Sequence, residues 1–318
     1  MLRSTLASAI SRFHWGQGGW RFAAALILFW SLASVGHSAS SVPDRYFVSG
    51  DGRIDLKNGK TGRAERVQYR LADGSYPAEA RRRIDRLFGI PDASSDQISL
   101  RLVSLLDFIE DRYRQPIEIN SGYRSPEYNA DLRAKGRLAA RASLHIEGMA
   151  ADIVLGRRLA PAAFEDLKAM DCCGVGYYHG ASLHVDTGPA RFWDETSSKV
   201  DTDISARNKR IMVVTDRDIY LPGEVVTLRL ARITDYPFSV SADLSVFRHG
   251  ELVGTFPVDS SRPCLPVSGP EDRTYAWALP REIRHEERLQ VRLSFCDKPF
   301  PEMPDHVDSN PFVIRSAR

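Results

Sequence analysis

The hydrophobic period of this 318-residue chain changes near residue 208, and that change constrains its fold more than any other feature. Before it, apolar residues recur at helical spacing. Ala80, Ile84 and Leu87 in "YPAEARRRIDRLFGI" mark one helix, and Leu100, Leu102, Val103, Leu105, Leu106, Phe108 and Ile109 in "SLRLVSLLDFIEDRYRQ" give a second a wide apolar face. After it the period is two. Val226, Leu228 and Leu230 share one face of "VVTLRLA", as Leu289, Val291, Leu293 and Phe295 do in "LQVRLSF". An α+β part followed by an all-β part is the expected architecture.

Local signals fill in both parts. Between Tyr46 and Arg70, the Asp-Gly and Asn-Gly pairs of "GDGR" and "KNGKTGR" predict a β-hairpin. "PIEIN" and "MAADIVL" read as strands. "SPEYNADLRAKG" reads as a helix with Ser125 as N-cap and Pro126 at its first position. A further helix runs from Pro161 to Met170, then "GVGYY" and "SLHVDTG" form a hairpin pair, and this domain, residues 45–195, ends near Trp193. "DETSSKVDTDISAR" is polar and without period, so residues 196–207 are a linker. Beyond it, "RIMVVTD", "DLSVFRHG", "LVGTF", "TYAWALP" and "PFVIR" raise the total to about seven short strands. The economical reading of residues 208–318 is an immunoglobulin-like β-sandwich with Trp277 as a core aromatic.

The first forty residues have a different character. Arg3, Arg12 and Arg21 precede "FAAALILFWSLASVG", an apolar run ending in small residues, with Ser34 and Gly36 suited to a signal peptidase site. Residues 1–39 therefore read as a signal peptide or as an uncleaved N-terminal anchor. Either exports the rest of the chain to the periplasm or cell envelope. Export permits Cys264 and Cys296 to pair. Cys172 and Cys173 are adjacent; they are two small buried residues, or one of them pairs elsewhere. The four spacings match no zinc ribbon. A net charge of +2, with no basic stripe interleaved with aromatics, sets nucleic acid aside.

The chemistry lies in the first part. "SLHIEGMAAD", Ser143 to Asp152, places a histidine and an aspartate seven residues apart around a glycine, just before a strand. His145 and Asp152 are two metal-ligand types, and His184 in "SLHVDTG" is a third, on a strand that can lie beside the one carrying Asp152. Zinc hydrolases use such nitrogen and carboxylate ligands and leave a position for water. Each histidine alone is more often simply hydrogen-bonded; only the three together point to a metal.

The same segment is similar to the Ser-x-His-x-x-Gly-x-Ala-x-Asp signature of the zinc D-Ala-D-Ala carboxypeptidase and endopeptidase family of VanY-like peptidases, which has a hedgehog/D-Ala-D-Ala peptidase-like fold. "INSGYRSPEYNADLR" resembles the family's Ser-Gly-Tyr-Arg-Ser segment, and "GVGYYHGASLHVDTGPARFW" resembles the third-ligand segment of its YcbK-like branch. The resemblance covers about residues 45–195. It implies one zinc ion on His145, Asp152 and His184, with Arg124 holding a substrate carbonyl or carboxylate. Ser143 would orient a ligand or line the cleft, and Tyr123 and Tyr128 would pack. One position departs from the better-known branch, where a carboxylate general base stands three residues before the third ligand. Here that residue is Ala181. Asp186 is either the base or an acceptor that fixes the His184 tautomer. His179 and Glu147 are further candidates for the base, and Tyr177 or Tyr178 for an oxyanion donor.

The resemblance thus implies an exported zinc peptidase acting on peptidoglycan stem peptides or cross-links, as murein endopeptidase or carboxypeptidase. Two other readings stay open. One is a silent peptidoglycan-binding module. The other is an adhesion or docking protein that meets an envelope partner through residues 208–318.

Overall fold

A computed structural model of the protein describes residues 44–136, 140–196, 206–280, 283 and 287–315. The leader expected at 1–39 and most of the linker expected at 196–207 lie outside the described residues. Among the described residues, no helix is long and apolar enough to cross a membrane.

The first part is built on a seven-stranded sheet. Strands β1 (Arg53–Asn58) and β2 (Ala64–Gln68) are the hairpin that the Asp-Gly and Asn-Gly pairs favour, and Asn58 N–H donates to the Arg63 carbonyl at 2.8 Å to close its turn. Helices α1 (Ala78–Phe88) and α2 (Leu100–Tyr113) pack on this end of the sheet, burying Ile84 and Leu87 from one and Leu102, Leu106 and Ile109 from the other. Strand β3 (Ile117–Ser121) leads into α3 (Pro126–Ala134), whose N-cap Ser125 accepts the Tyr128 N–H at 3.2 Å. Then come β4 (Ala150–Val154), α4 (Ala160–Met170), β5 (Gly174–Tyr177), β6 (Ser182–Asp186) and β7 (Arg191–Asp194). The sheet order is β2-β1-β3-β4-β6-β5-β7; β1–β3 and β5–β7 pair parallel and the rest antiparallel. The two strands that carry the candidate ligands, β4 and β6, therefore lie side by side near its middle.

The second part is β-rich. Its strands are β8 (Met212–Thr215), β9 (Ile219–Tyr220), β10 (Val225–Ala231), β11 (Phe238–Arg248), β12 (Glu251–Pro257), β13 (Cys264–Val267), β14 (Thr274–Ala278), β15 (Leu289–Asp297), β16 (His306–Asp308) and β17 (Val313–Ile314). All seven strands expected from alternation are present. The additional β9, β13 and β16 hold 2, 4 and 3 residues. A three-stranded sheet β14-β10-β8 and a five-stranded sheet built on β12-β11-β15-β16 enclose a core of their own, with Trp277 buried in it. Cys264 on β13 and Cys296 on β15 form a disulfide between two of the three strands that pair with β11. Cys172 is half-buried and Cys173 buried, and both are free thiols.

A third, small cluster joins the two parts. Leu144, Met149 and Ala150 pack against Val214 and Ala231. The segment between His145 and β4 is thus enclosed, and its backbone turns sharply at Gly148, where φ is +64. A Cβ there would strike the Gln97 carbonyl. Left-handed φ and close backbone approach each exclude a side chain. Gly148→Ala should therefore cost about 2–4 kcal/mol, from about 1–2 for the left-handed backbone plus overpacking. A urea midpoint unchanged from the parent protein would contradict this reading of the signature glycine.

Candidate metal centre

In the β4–β6 ladder Asp152 stands opposite His184, and Ala150 opposite Asp186. Directly opposed residues of an antiparallel pair leave the same face of a sheet, so register alone brings the carboxylate and the imidazole together. His145 comes from the turn before β4, whose Met149 N–H bonds the Leu144 carbonyl at 2.9 Å. His184 Nδ1 lies 2.9 Å, and His145 Nε2 3.5 Å, from Asp152 Oδ1. One ligand atom from each residue falls within 4.8 Å of the others, and His145, Asp152 and His184 are 3%, 7% and 8% exposed.

Hydrogen bonds fix which nitrogen of each ring faces inward. The Gly122 carbonyl, 2.7 Å from His145 Nδ1, can only accept, so Nδ1 carries the hydrogen and Nε2 keeps its lone pair. Burial lowers the pKa of His145 and favours this neutral form. On His184 the far nitrogen, Nε2, lies 2.9 Å from Asp186 Oδ2. Burial pulls the His184 pKa down, but hydrogen bonds to Asp152 and Asp186 outweigh it and push the ring up to about 9. Burial likewise opposes ionisation of Asp152, yet the two histidines hold it well below the usual carboxylate range. Two imidazole nitrogens and one carboxylate oxygen, with each far nitrogen held by an acceptor, form a donor set that suits Zn2+.

Of the residues expected to act, several are already engaged. Asp186 is fully buried; its oxygens meet His184, accept Gly188 N–H at 2.9 Å, and accept Arg191 Nη2 at 2.6 Å and Nη1 at 3.0 Å. Burial opposes its ionisation, but His184 and Arg191 bring its pKa to about 2. Of the two roles open to Asp186, this geometry fits the acceptor, because a sealed and fully bonded carboxylate has no reach to a water. Arg124 donates through Nη2 to Asp152 Oδ2 at 2.9 Å and through Nε to Ser121 Oγ at 3.1 Å, which ties it to a candidate ligand. The Ser143 hydroxyl accepts the His145 N–H at 3.3 Å and braces the turn. Glu147 is not a base here: its carboxylate is held by Arg229, Arg273 and the Arg232 N–H. His179 sits at a left-handed φ of 45 with its ring against Tyr177 and its Nε2 3.5 Å from Asp194, rather than beside the three ligands.

The two tyrosines separate cleanly. Tyr177 stacks on Phe164 of α4 with ring centroids 5.8 Å apart, whereas the Tyr178 hydroxyl donates to Asp152 Oδ1 at 3.2 Å. The phase of β5 explains the split. Gly174 pairs with Asp186 and Gly176 with His184, so both glycines, and Tyr178 two further on, share the ligand face. A Cβ at 174 would overlap the Asp186 carboxylate, and one at 176 would lie 2.5 Å from the Trp193 ring. Trp193 in turn sits 5.1 Å from His184, centroid to centroid. Sequence reasoning missed Arg191, Trp193 and the Gly122 carbonyl. The alternate glycines of "GVGYY" were the available signal that something bulky faces them.

Residues 49–193 match the family model described as Peptidoglycan L,D-endopeptidase MepK, and the resemblance read from the motifs holds over that segment. The Peptidoglycan L,D-endopeptidase MepK of Escherichia coli (strain K12) is 40% identical over 81 residues, 25% of this chain and 44% of that protein. The Probable peptidoglycan L,D-endopeptidase MepK of Haemophilus influenzae is 38% identical over 78 residues, 24% of this chain and 42% of that protein. The chain thus spans less than half the length of these relatives. Among solved structures, Spo0M, sporulation control protein, from Bacillus subtilis aligns over 33% of this chain and 49% of that one, at 13% identity and a TM-score of 0.21, a likeness that carries no argument.

The protonation states give a test of the centre that needs no substrate. In the metal-free protein His184 holds a proton up to about pH 9, and that proton must leave before Nδ1 can donate to a cation. Zinc affinity should therefore rise roughly tenfold per pH unit between about pH 6.5 and 8.5 and flatten near pH 9. Chelator competition across that range measures it. A flat profile would mean that His184 is not a ligand.

Proposed function

We propose that the protein is an exported zinc metallopeptidase that hydrolyses peptide bonds in peptidoglycan, with residues 45–195 as the catalytic unit and residues 208–318 as an immunoglobulin-like β-sandwich. The observation that carries this is the convergence of His145 Nε2, Asp152 Oδ1 and His184 Nδ1 at one buried point. It lies inside the segment that matches the endopeptidase family model. Because the named relatives are L,D-endopeptidases, the same bond class is proposed here, within stem peptides or cross-links. The proposed substrate and the apolar N-terminal run both support export to the periplasm or cell envelope.

A bound Zn2+ would supply a low-pKa water as nucleophile and would polarise the scissile carbonyl. The chain's own residues set the geometry. Asp186, locked by Arg191 and Gly188, orients His184 so that Nδ1 points inward. Arg124 occupies Asp152 Oδ2 and leaves Oδ1 to face the two imidazoles. Tyr178 presents a phenol at the same point, and burial raises its pKa above the ordinary tyrosine value, so it stays a hydrogen-bond donor at neutral pH. We assign it to the developing oxyanion. Trp193, beside His184, walls the site and limits water.

The zinc-loaded protein should release a defined peptide from purified sacculi and soluble muropeptides, read by mass spectrometry, and His145→Ala should abolish that release. Tyr178→Phe should lower kcat by about a hundredfold with zinc still bound. Stoichiometric zinc and sacculus binding with no product from any substrate would instead support the silent wall-binding module.

A further inference from the structure

The turn that carries His145 is held from outside its own domain as well as from within it. Residues 143–149 form no helix or strand; Ile146 N–H bonds the Ser143 carbonyl at 3.1 Å and Gly148 N–H the His145 carbonyl at 3.3 Å. Glu147, two residues past the ligand, points away from the metal centre into the β-rich part, where its side chain is only 7% exposed. There Arg229 of β10 donates Nη1 to Glu147 Oε2 at 2.8 Å and Nη2 to the Glu147 carbonyl at 3.2 Å. Arg273 donates to the same Oε2 at 3.0 Å, and the Arg232 N–H to Oε1 at 2.9 Å. Arg232 Nε also reaches the Ala142 carbonyl at 3.1 Å, on the near side of the turn. Beneath these bonds lies the apolar contact of Leu144, Met149 and Ala150 with Val214 and Ala231.

Both carboxylate oxygens and the backbone carbonyl of one residue are thus bound by a partner surface. Two guanidiniums on a buried carboxylate form charge-assisted bonds with fixed geometry, stronger and more directional than a solvent-exposed pair. Within its own domain His145 is held by the ring bond to Gly122, by the Arg124 N–H on its carbonyl at 3.3 Å and by the bonds of a short turn whose Gly148 carbonyl accepts the Ser99 N–H at 2.9 Å. The Glu147 clamp adds a hold from the β-rich part only two residues past the ligand, on the side of the turn that faces away from β4 and β6.

We propose that Glu147, clamped by Arg229 and Arg273, is a positioning residue for the metal ligand His145, so that the C-terminal β-rich part completes the metal centre instead of only targeting it. The inference rests on the zinc reading of the site but not on any substrate. It gives the glutamate of "SLHIEG" a role unrelated to proton transfer.

Zinc affinity of the full-length protein, measured by chelator competition, tests it in Glu147→Gln, Arg229→Met, the double variant and Arg229→Lys. Near-ultraviolet circular dichroism of each metal-free protein reports folding. Glu147→Gln and Arg229→Met should each weaken zinc binding by about 10–100-fold, the range typical of groups that hold metal ligands in place. The double variant should be no weaker than the worse single, and Arg229→Lys should recover most of the loss. If Glu147→Gln does not fold, Arg273→Met, which leaves Arg229 on the carboxylate, gives the same reading. Folded variants that bind zinc within twofold of the parent, or losses that simply add, would overturn the proposal. A parent protein that binds zinc yet cleaves nothing defeats the peptidase reading and leaves this one standing, whereas a parent that binds no zinc defeats both.

Discussion

The facing pair of Asp152 and His184 across β4 and β6 is the constraint on which the rest of this structure depends. A register slip of one residue would send every side chain of β6 to the opposite face, separating His184 from Asp152 and exposing Val185 in its place. The register is held from both flanks. On one side β3 places Ser121 opposite Asp152 and delivers Gly122 to His145. On the other side β5 sets two glycines opposite His184 and Asp186 and so leaves space for Trp193 and Arg191. Apolar residues 151, 153, 183, 185 and 175 fill the opposite face and join the main core.

Charge follows from the same arrangement. A histidine between two carboxylates, all three removed from water, is stable only if the remaining charge is balanced. Arg191 balances Asp186 and Arg124 balances Asp152, so each acidic group has a guanidinium beside it, with one imidazole facing Asp186 and two facing Asp152. The result is a centre already oriented before any cation arrives, with the carboxylates ionised and the inward nitrogens fixed. Removing either arginine would leave a buried charge without its partner.

Much of this was legible in the sequence, because the signature residues are there for separate physical reasons. Ser143 braces the turn, Gly148 takes a left-handed φ against the Gln97 carbonyl, Ala150 fits between two cores, and His145 and Asp152 meet. Period two correctly linked His184 with Asp186, and all seven alternating strands of the C-terminal part formed. What could not be read is whatever depends on distant pairing. The partners of Glu147 lie 82 and 126 residues away, and nothing near Glu147 announces a contact with them. The choice between Tyr177 and Tyr178 needed the phase of β5 relative to β6, and the burial that makes Asp186 an acceptor is set by Arg191 on a seventh strand that has no alternation of its own.

X-ray absorption at the zinc edge of the singly loaded protein tests the three-ligand centre most directly. Nitrogen and oxygen neighbours at about 2.0–2.1 Å are expected, with the outer-shell scattering of two imidazoles that falls to one in His184→Ala. Sulfur at about 2.3 Å would put the ion on Cys172 or Cys173, and would contradict the centre built on His145, Asp152 and His184.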